Sequence, residues 1–310
     1  MNEFELISRL TRNLTTTAAI VAGPGDDCAL VDLGIPDRWA VLKTDAVVEG
    51  LHFTRETPPE KVGRKAMARV LSDFAAAAAT PTAALVTLAI PPGHDPAWLD
   101  ALYAGLDVTA ATWGVAVAGG ETTTSPERVL VSVSAVGTVE RSRVIRRSGS
   151  RPGDAIFVSG ELGGSLDGHH LDFTPRLSEA RWLADHFPVH AMIDVSDGLA
   201  GDLKHLLHAG SVGAELAKDR LPIRRAAKLR ERSGTSSKPA VVAALTDGED
   251  FELLFTVASA DAVPVLDGWK ARFPGVPLTC IGRITAEPGL RLRDAKGAHE
   301  FRGNGYVHFA

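Results

Sequence analysis

Six short acidic strings are spread over this chain, in four of which the acid follows Gly directly or closes a strand-like run, and no glycine-rich phosphate loop accompanies them. The strings are Gly25-Asp26-Asp27, Thr44-Asp45 with Glu49-Gly50-Leu51-His52-Phe53, Leu71-Ser72-Asp73, Gly119-Gly120-Glu121-Thr122, Ile193-Asp194-Val195-Ser196-Asp197-Gly198 and Asp247-Gly248-Glu249-Asp250-Phe251-Glu252. Acids at such junctions line the ligand crevice of a parallel or mixed α/β sheet. Carboxylates gathered there repel one another unless cations join them, and Mg²⁺ carrying a polyphosphate is the natural guest.

The pattern between these strings is that of an α/β (mixed α+β) chain in two units. Phe4, Leu6, Ile7 and Leu10 recur at helical spacing. A strand is expected over Trp39–Thr44, ending at Asp45, and a long helix over Pro59–Thr80 with Pro59 in its first turn. A strand over Ala84–Ile90 and a helix over Pro96–Trp113 follow, then strands over Val115–Ala118 and Val129–Val139, the latter alternating as a half-exposed strand does. Turn residues over Arg147–Asp154 read as a linker, which gives units of 1–147 and 148–310. The second unit predicts strands over Ala155–Ser159, Ala191–Val195, Glu252–Val257 and Leu278–Ile281. It predicts helices over Leu177–His186, Leu199–Ala209 and Val263–Phe273, with Ser196 and Asp197 as candidate caps of the second.

Each acid has a plain reading beside the chemical one. Asp26-Asp27 fits a turn, Asp45 a loop or cap, Ser196 and Asp197 an N-cap, and Glu249 an exposed turn. Asp73 is different, because it lies inside an apolar, alanine-rich helix where an unpaired charge is costly to bury. The Gly-x-x-x-x-Gly-Lys-Ser/Thr and Gly-x-Gly-x-x-Gly strings are missing, so phosphate would be held through metal ions bridging carboxylates to its oxygens. The histidines form no metal-binding string, and no Gly-x-Ser-x-Gly elbow supports acyl transfer.

Composition narrows the classes further. A net charge of -5 over 310 residues argues against a nucleic-acid binder. Arg141, Arg143, Arg146, Arg147 and Arg151 form the densest basic stretch, either a solvated linker or a source of phosphate-binding forks. Two distant cysteines, an acidic N-terminus and no long apolar run lead to the expectation of a cytoplasmic protein with no membrane contact.

Taken in order, the strings resemble the thiamine-monophosphate kinase family of the aminoimidazole-ribonucleotide-synthetase-like ATP-binding superfamily, from Phe4-Glu5-Leu6-Ile7 to Gly305-Tyr306-Val307-His308-Phe309. The resemblance implies ATP-dependent phosphorylation of thiamine monophosphate to thiamine diphosphate with several Mg²⁺ ions. It also implies a homodimer whose N-terminal halves share a β-barrel. Carried over by position, Asp27, Thr44, Asp45, Asp73, Glu121, Asp194 and Asp197 would bind metal. Gly120, Glu121, Arg147 and Ser196 would line the ATP site, and His52, Glu249 and Tyr306 would contact the thiamine phosphate. Lys43 stands where the family usually has Ser or Thr, and Glu121 where it usually has Asp. The segment Gly163–Arg176 is shorter than the family's. Two other readings follow from those departures: an enzyme of the same superfamily acting on another small metabolite, and a non-catalytic nucleotide-binding subunit.

Overall fold

The computed structural model describes residues 3–306, so the expected Val307-His308-Phe309 end of the resemblance lies outside the described residues. Helix α1 (Glu3–Thr11) precedes a six-stranded sheet of β1 (Ile20–Ala22), β2 (Ala29–Val31), β3 (Arg38–Val48), β4 (Thr80–Ile90), β5 (Ala116–Thr124) and β6 (Leu130–Glu140), in the order β1-β2-β3-β6-β4-β5. Helices α2 (Pro59–Ala76) and α3 (Pro96–Thr112) belong to this half. A seven-stranded sheet follows, made of β7 (Ala155–Ser159), β8 (Val189–Asp194), β9 (Gly213–Ala217), β10 (Leu253–Val257), β11 (Leu278–Thr285), β12 (Gly289–Asp294) and β13 (Gly297–Glu300). Its order is β13-β12-β9-β11-β7-β10-β8. Helices α4 (His169–Asp172), α5 (Leu177–His186), α6 (Leu199–Gly210), α7 (Arg225–Ser233), α8 (Ala240–Thr246) and α9 (Ala262–Arg272) complete the second half.

The fold is mixed α/β with two sheets. Both are mainly antiparallel: β4 with β5 and β9 with β12 are parallel pairs within otherwise antiparallel ladders. The acids therefore meet between the two halves and not at a strand-order switch of a parallel sheet. Strand β3 runs past Asp45 to Val48, because its alternation of outward Leu42, Thr44 and Ala46 with inward Val41, Lys43, Asp45 and Val47 continues the pairing with β6. The long helix α2 stops at Ala76, four residues before Thr80. Ala78 turns left-handed at φ 52°, and the Ala77 N–H closes on the Asp73 carbonyl, which swings the chain into β4.

Helix α2 is the pivot of the molecule. Its Leu71 and Phe74 have no exposed surface and join a core with Phe157, Phe255 and Trp269 of the second half. Truncating Leu71 to Ala would cost about 2–5 kcal/mol through lost burial and the cavity left behind. Close crossing of α2 with α3 depends on two glycines. A Cβ on Gly63 would lie 1.9 Å from the Leu102 carbonyl oxygen, and one on Gly105 would lie 2.0 Å from that of Glu60. Among the described residues no helix is long and apolar enough to cross a membrane.

Candidate active site

Three acids from distant parts of the chain converge. Asp27 follows the turn after β1, Asp73 lies on α2 and Asp194 ends β8, and carboxylate oxygens of the three all fall within 4.8 Å of one another. They are 5, 7 and 4% exposed. Burial, reinforced by the Asp27 charge, pushes Asp194 up to about 6. Such a cost is carried without benefit unless a cation comes to the cluster. An all-oxygen donor set of this kind suits a hard divalent ion such as Mg²⁺.

Protein cations cover part of this charge. Arg147 donates to Asp27 at 2.7 Å and Lys43 Nζ stands 2.5 Å from Asp73 Oδ1. Ser72 donates to Asp194 at 2.6 Å. Burial works against the Lys43 charge, but the Asp73 and Asp45 carboxylates outweigh it and raise its pKa. Asp45, inward on β3, is gripped by Arg69 through two nitrogens at 2.9 and 3.2 Å. Burial would raise its pKa, yet the Arg69 and Lys43 charges hold it below the usual carboxylate value.

Arg69 links this cluster to a pocket of about 320 Å³ that it lines together with His52, Ser196, Asp197, Glu249 and Tyr306. A larger hollow of about 600 Å³ around Lys204, His208 and Arg302 contains none of the sequence-predicted site residues. Glu249 is held by Lys65 at 2.7 Å and faces Arg69 at 3.5 Å, while Lys65 also donates to the His52 carbonyl at 2.6 Å. The turn carrying Glu249 is left-handed at Glu249 (φ 64°) and Phe251 (φ 51°). Side chains other than glycine adopt that geometry only when the surroundings impose it. Here the Glu249 and Phe251 N–H groups donate to the carbonyls of Ser196 and Val195, and Asp250, fully buried, accepts from Gly163 and Arg224. Phe251 also stacks on Phe173, with ring centres 3.9 Å apart.

Other sequence-predicted residues lie elsewhere. Thr44 Oγ1 is on the exposed face of the first sheet, 2.9 Å from Ser134 Oγ, with its back to the three acids. Glu121 and Gly120 are on exposed strand β5, with Glu121 in register with Thr87. Ser196 and Asp197 do not cap α6: the N-cap position is Gly198, and the Asp197 N–H instead donates to Asp202 on the first turn. The arginines of the 141–147 stretch each find an acid, Arg141 with Asp32, Arg143 with Asp185, Arg146 with Asp26 and Arg147 with Asp27.

Four functional neighbours went unread in the sequence. Lys65, Arg69 and Asp73 are spaced by four along α2 and form a polar stripe through its otherwise apolar buried part, which was a readable signal. Ser72 lay inside a noted string without a role. Asp202, 2% exposed, is raised well above the usual carboxylate range by burial and then by the Asp197 and Asp194 charges. It stands outside the acidic strings, in the first turn of the helix Leu199–Gly210.

Comparison with known proteins identifies the family. Residues 25–139 match the AIR synthase related protein N-terminal domain, and residues 167–295 match the C-terminal domain of the same group. Thiamine-monophosphate kinase of Rhodopirellula baltica is 39% identical over 298 residues, covering 93% of this chain and 92% of that protein. The Escherichia coli K12 thiamine-monophosphate kinase is 34% identical, covering 99 and 98%. Among solved structures, AaThiL complexed with AMPPCP and TMP superposes with a TM-score of 0.83 at 30% identity, covering 99% of this chain and 97% of that one. With both halves matched and full-length relatives above 30% identity, the chain belongs to the thiamine-monophosphate kinase family of enzymes.

Proposed function

We propose that the chain transfers the γ-phosphoryl group of ATP directly to the phosphate of thiamine monophosphate, giving thiamine diphosphate and ADP. The observation that carries this reading is the meeting of Asp27, Asp73 and Asp194 beside the pocket of His52, Glu249 and Tyr306. A related protein solved with AMPPCP and TMP supports the pairing of a nucleotide with that acceptor.

Several Mg²⁺ ions, when bound, would supply neutralisation of phosphate charge during transfer. Asp27, Asp73 and Asp194 would hold them within one subunit, with Asp45 and Asp197 flanking. Thr44 and Glu121, on the other face of the first sheet, fall outside that set in a single chain. Arg147 and Ser196 would orient nucleotide phosphate, with Gly120 at the β5 edge. His52, Glu249 and Tyr306 would hold the acceptor, and Glu249 carries a charge opposite to a thiazolium ring. The acceptor phosphate has a second pKa near 6, so its attacking oxygen is already largely deprotonated at neutral pH. No side chain is then needed as general base, and positioning does the work.

The units 1–147 and 148–310 would each contribute to this site, the first giving Asp27 and Asp73 and the second Asp194. The exposed outer face of the first sheet, with Leu42, Leu85 and Val136 at 44, 52 and 40% exposure, is where a second copy would close a shared barrel in a cytoplasmic homodimer. The deciding experiment incubates purified protein with ATP, Mg²⁺ and thiamine monophosphate and looks for thiamine diphosphate. A protein that hydrolyses or transfers from ATP but makes none of that product would overturn the acceptor assignment.

A further inference from the structure

Lys43 lies on β3 between outward-facing Leu42 and Thr44, so its side chain enters the interior beside the acid cluster. The ammonium stands 2.5 Å from Asp73 Oδ1, and the side chain is 24% exposed. Asp27 has Arg147, Asp45 has Arg69 and Asp194 has the Ser72 hydroxyl, so Lys43 is the cation of Asp73. An ammonium has three N–H donors and no lone pair. It repels a further divalent ion at Asp73 Oδ1 across a poorly screened interior, while the Asp73 carboxylate keeps lone pairs for the one ion it would share with Asp27 and Asp194. One carboxylate oxygen takes one of its donors; the others suit phosphate oxygens.

We propose that Lys43 is a resident cation of this site, whose ammonium takes the place beside Asp73 Oδ1 that a further divalent ion would otherwise hold, next to the ion shared by the three acids, and meets the nucleotide phosphates by direct hydrogen bonding. The proposal rests on the nucleotide reading above, but not on the acceptor. The enzyme built this way works with one divalent ion fewer than the same pocket carrying a hydroxyl at this position. Its phosphate grip then depends less on the free Mg²⁺ concentration.

The test counts Mn²⁺ bound per chain, by equilibrium dialysis and electron paramagnetic resonance, in the presence of a non-hydrolysable ATP analogue. Lys43→Ser is expected to bind one more Mn²⁺ than the unmodified enzyme. Equal counts in the two folded proteins would overturn the proposal. Should Lys43→Ser fail to fold, Lys43→Met keeps the aliphatic stem and removes only the charge. Its Mn²⁺ affinity should then rise at least about tenfold, since a neighbouring positive charge has gone. An unchanged affinity in Lys43→Met would equally overturn it. No thiamine monophosphate enters these measurements, so failure of the acceptor assignment leaves the metal count unaffected and the two outcomes stay distinct.

Discussion

The Lys65 ammonium, with no exposed surface, lies 2.7 Å from Glu249 Oε2 and ties helix α2 to the left-handed turn at Glu249 and Phe251. Burial is the main influence on this lysine and lowers its pKa to about 8, against the opposing Glu249 charge. The penalty for keeping it protonated is complete below about pH 8 and disappears as pH rises toward the unfolded value near 10.5. Over that range its contribution to stability rises with pH while its hold on Glu249 is lost. KM for thiamine monophosphate should therefore increase above about pH 8 with kcat little changed. Lys65→Met should raise KM about tenfold at neutral pH and abolish the pH step, as steady-state kinetics across that range will show.

Asp194 supplies a second, opposite pH dependence. Its folded pKa of about 6 lies above its unfolded value near 3.8, so the destabilisation is full above pH 6 and fades as pH falls toward 4. In EDTA, Asp194→Asn should melt about 2–6 °C above the unmodified protein at neutral pH. That gap should close on acidification, a comparison made by calorimetry at a series of pH values. Saturating Mg²⁺ should reverse its sign at neutral pH, since a ligand for the native state stabilises by mass action.

Asp73→Asn separates catalysis from folding. The amide keeps the size of the side chain and removes one charge from a crowded acidic cluster, but it also takes from Lys43 its nearest carboxylate; these effects oppose each other, so the melting temperature in EDTA should move by less than about 3 °C. Transfer activity with Mg²⁺ should fall about 100-fold or more, because charge stabilisation of the transferring phosphate is lost. A large melting change with little loss of turnover would contradict this division.

Leu85→Asp addresses assembly. Leu85 lies next to Ser134 on the outer face of the first sheet, and Leu42 pairs with Val136 on the same face. On the homodimer proposed above, a charge placed there should halve the mass measured by light scattering, because a desolvated carboxylate without a partner costs several kcal/mol at an apolar contact. A monomer mass before the substitution, or an unchanged mass after it, would overturn the proposed shared barrel.

Much of this molecule was legible in its residues. The Val and Ser alternation of β6 and the periodicity of α5 located those elements closely, since each buries one face. Helix α7 was not legible, because Arg225–Ser233 is mostly charged or polar and buries only Ala227. Strands β9, β12 and β13 are short and rich in Gly and charged residues, and they form through sheet pairing and not through a local pattern. In the site, the acids could be read from their strings. The direction in which Thr44 points could not, because it depends on strand register: a shift of one residue along β3 exchanges Thr44 for Lys43 or Asp45 on the inner face.

Asp27 and Asp73 come from the half built on the first sheet, and Asp194 from the half built on the second. An ion gripped by all three is thus also a rivet between halves. Loading the site would stiffen the joint where α2 meets β8, slowing amide exchange there, and unloading it would leave a looser joint.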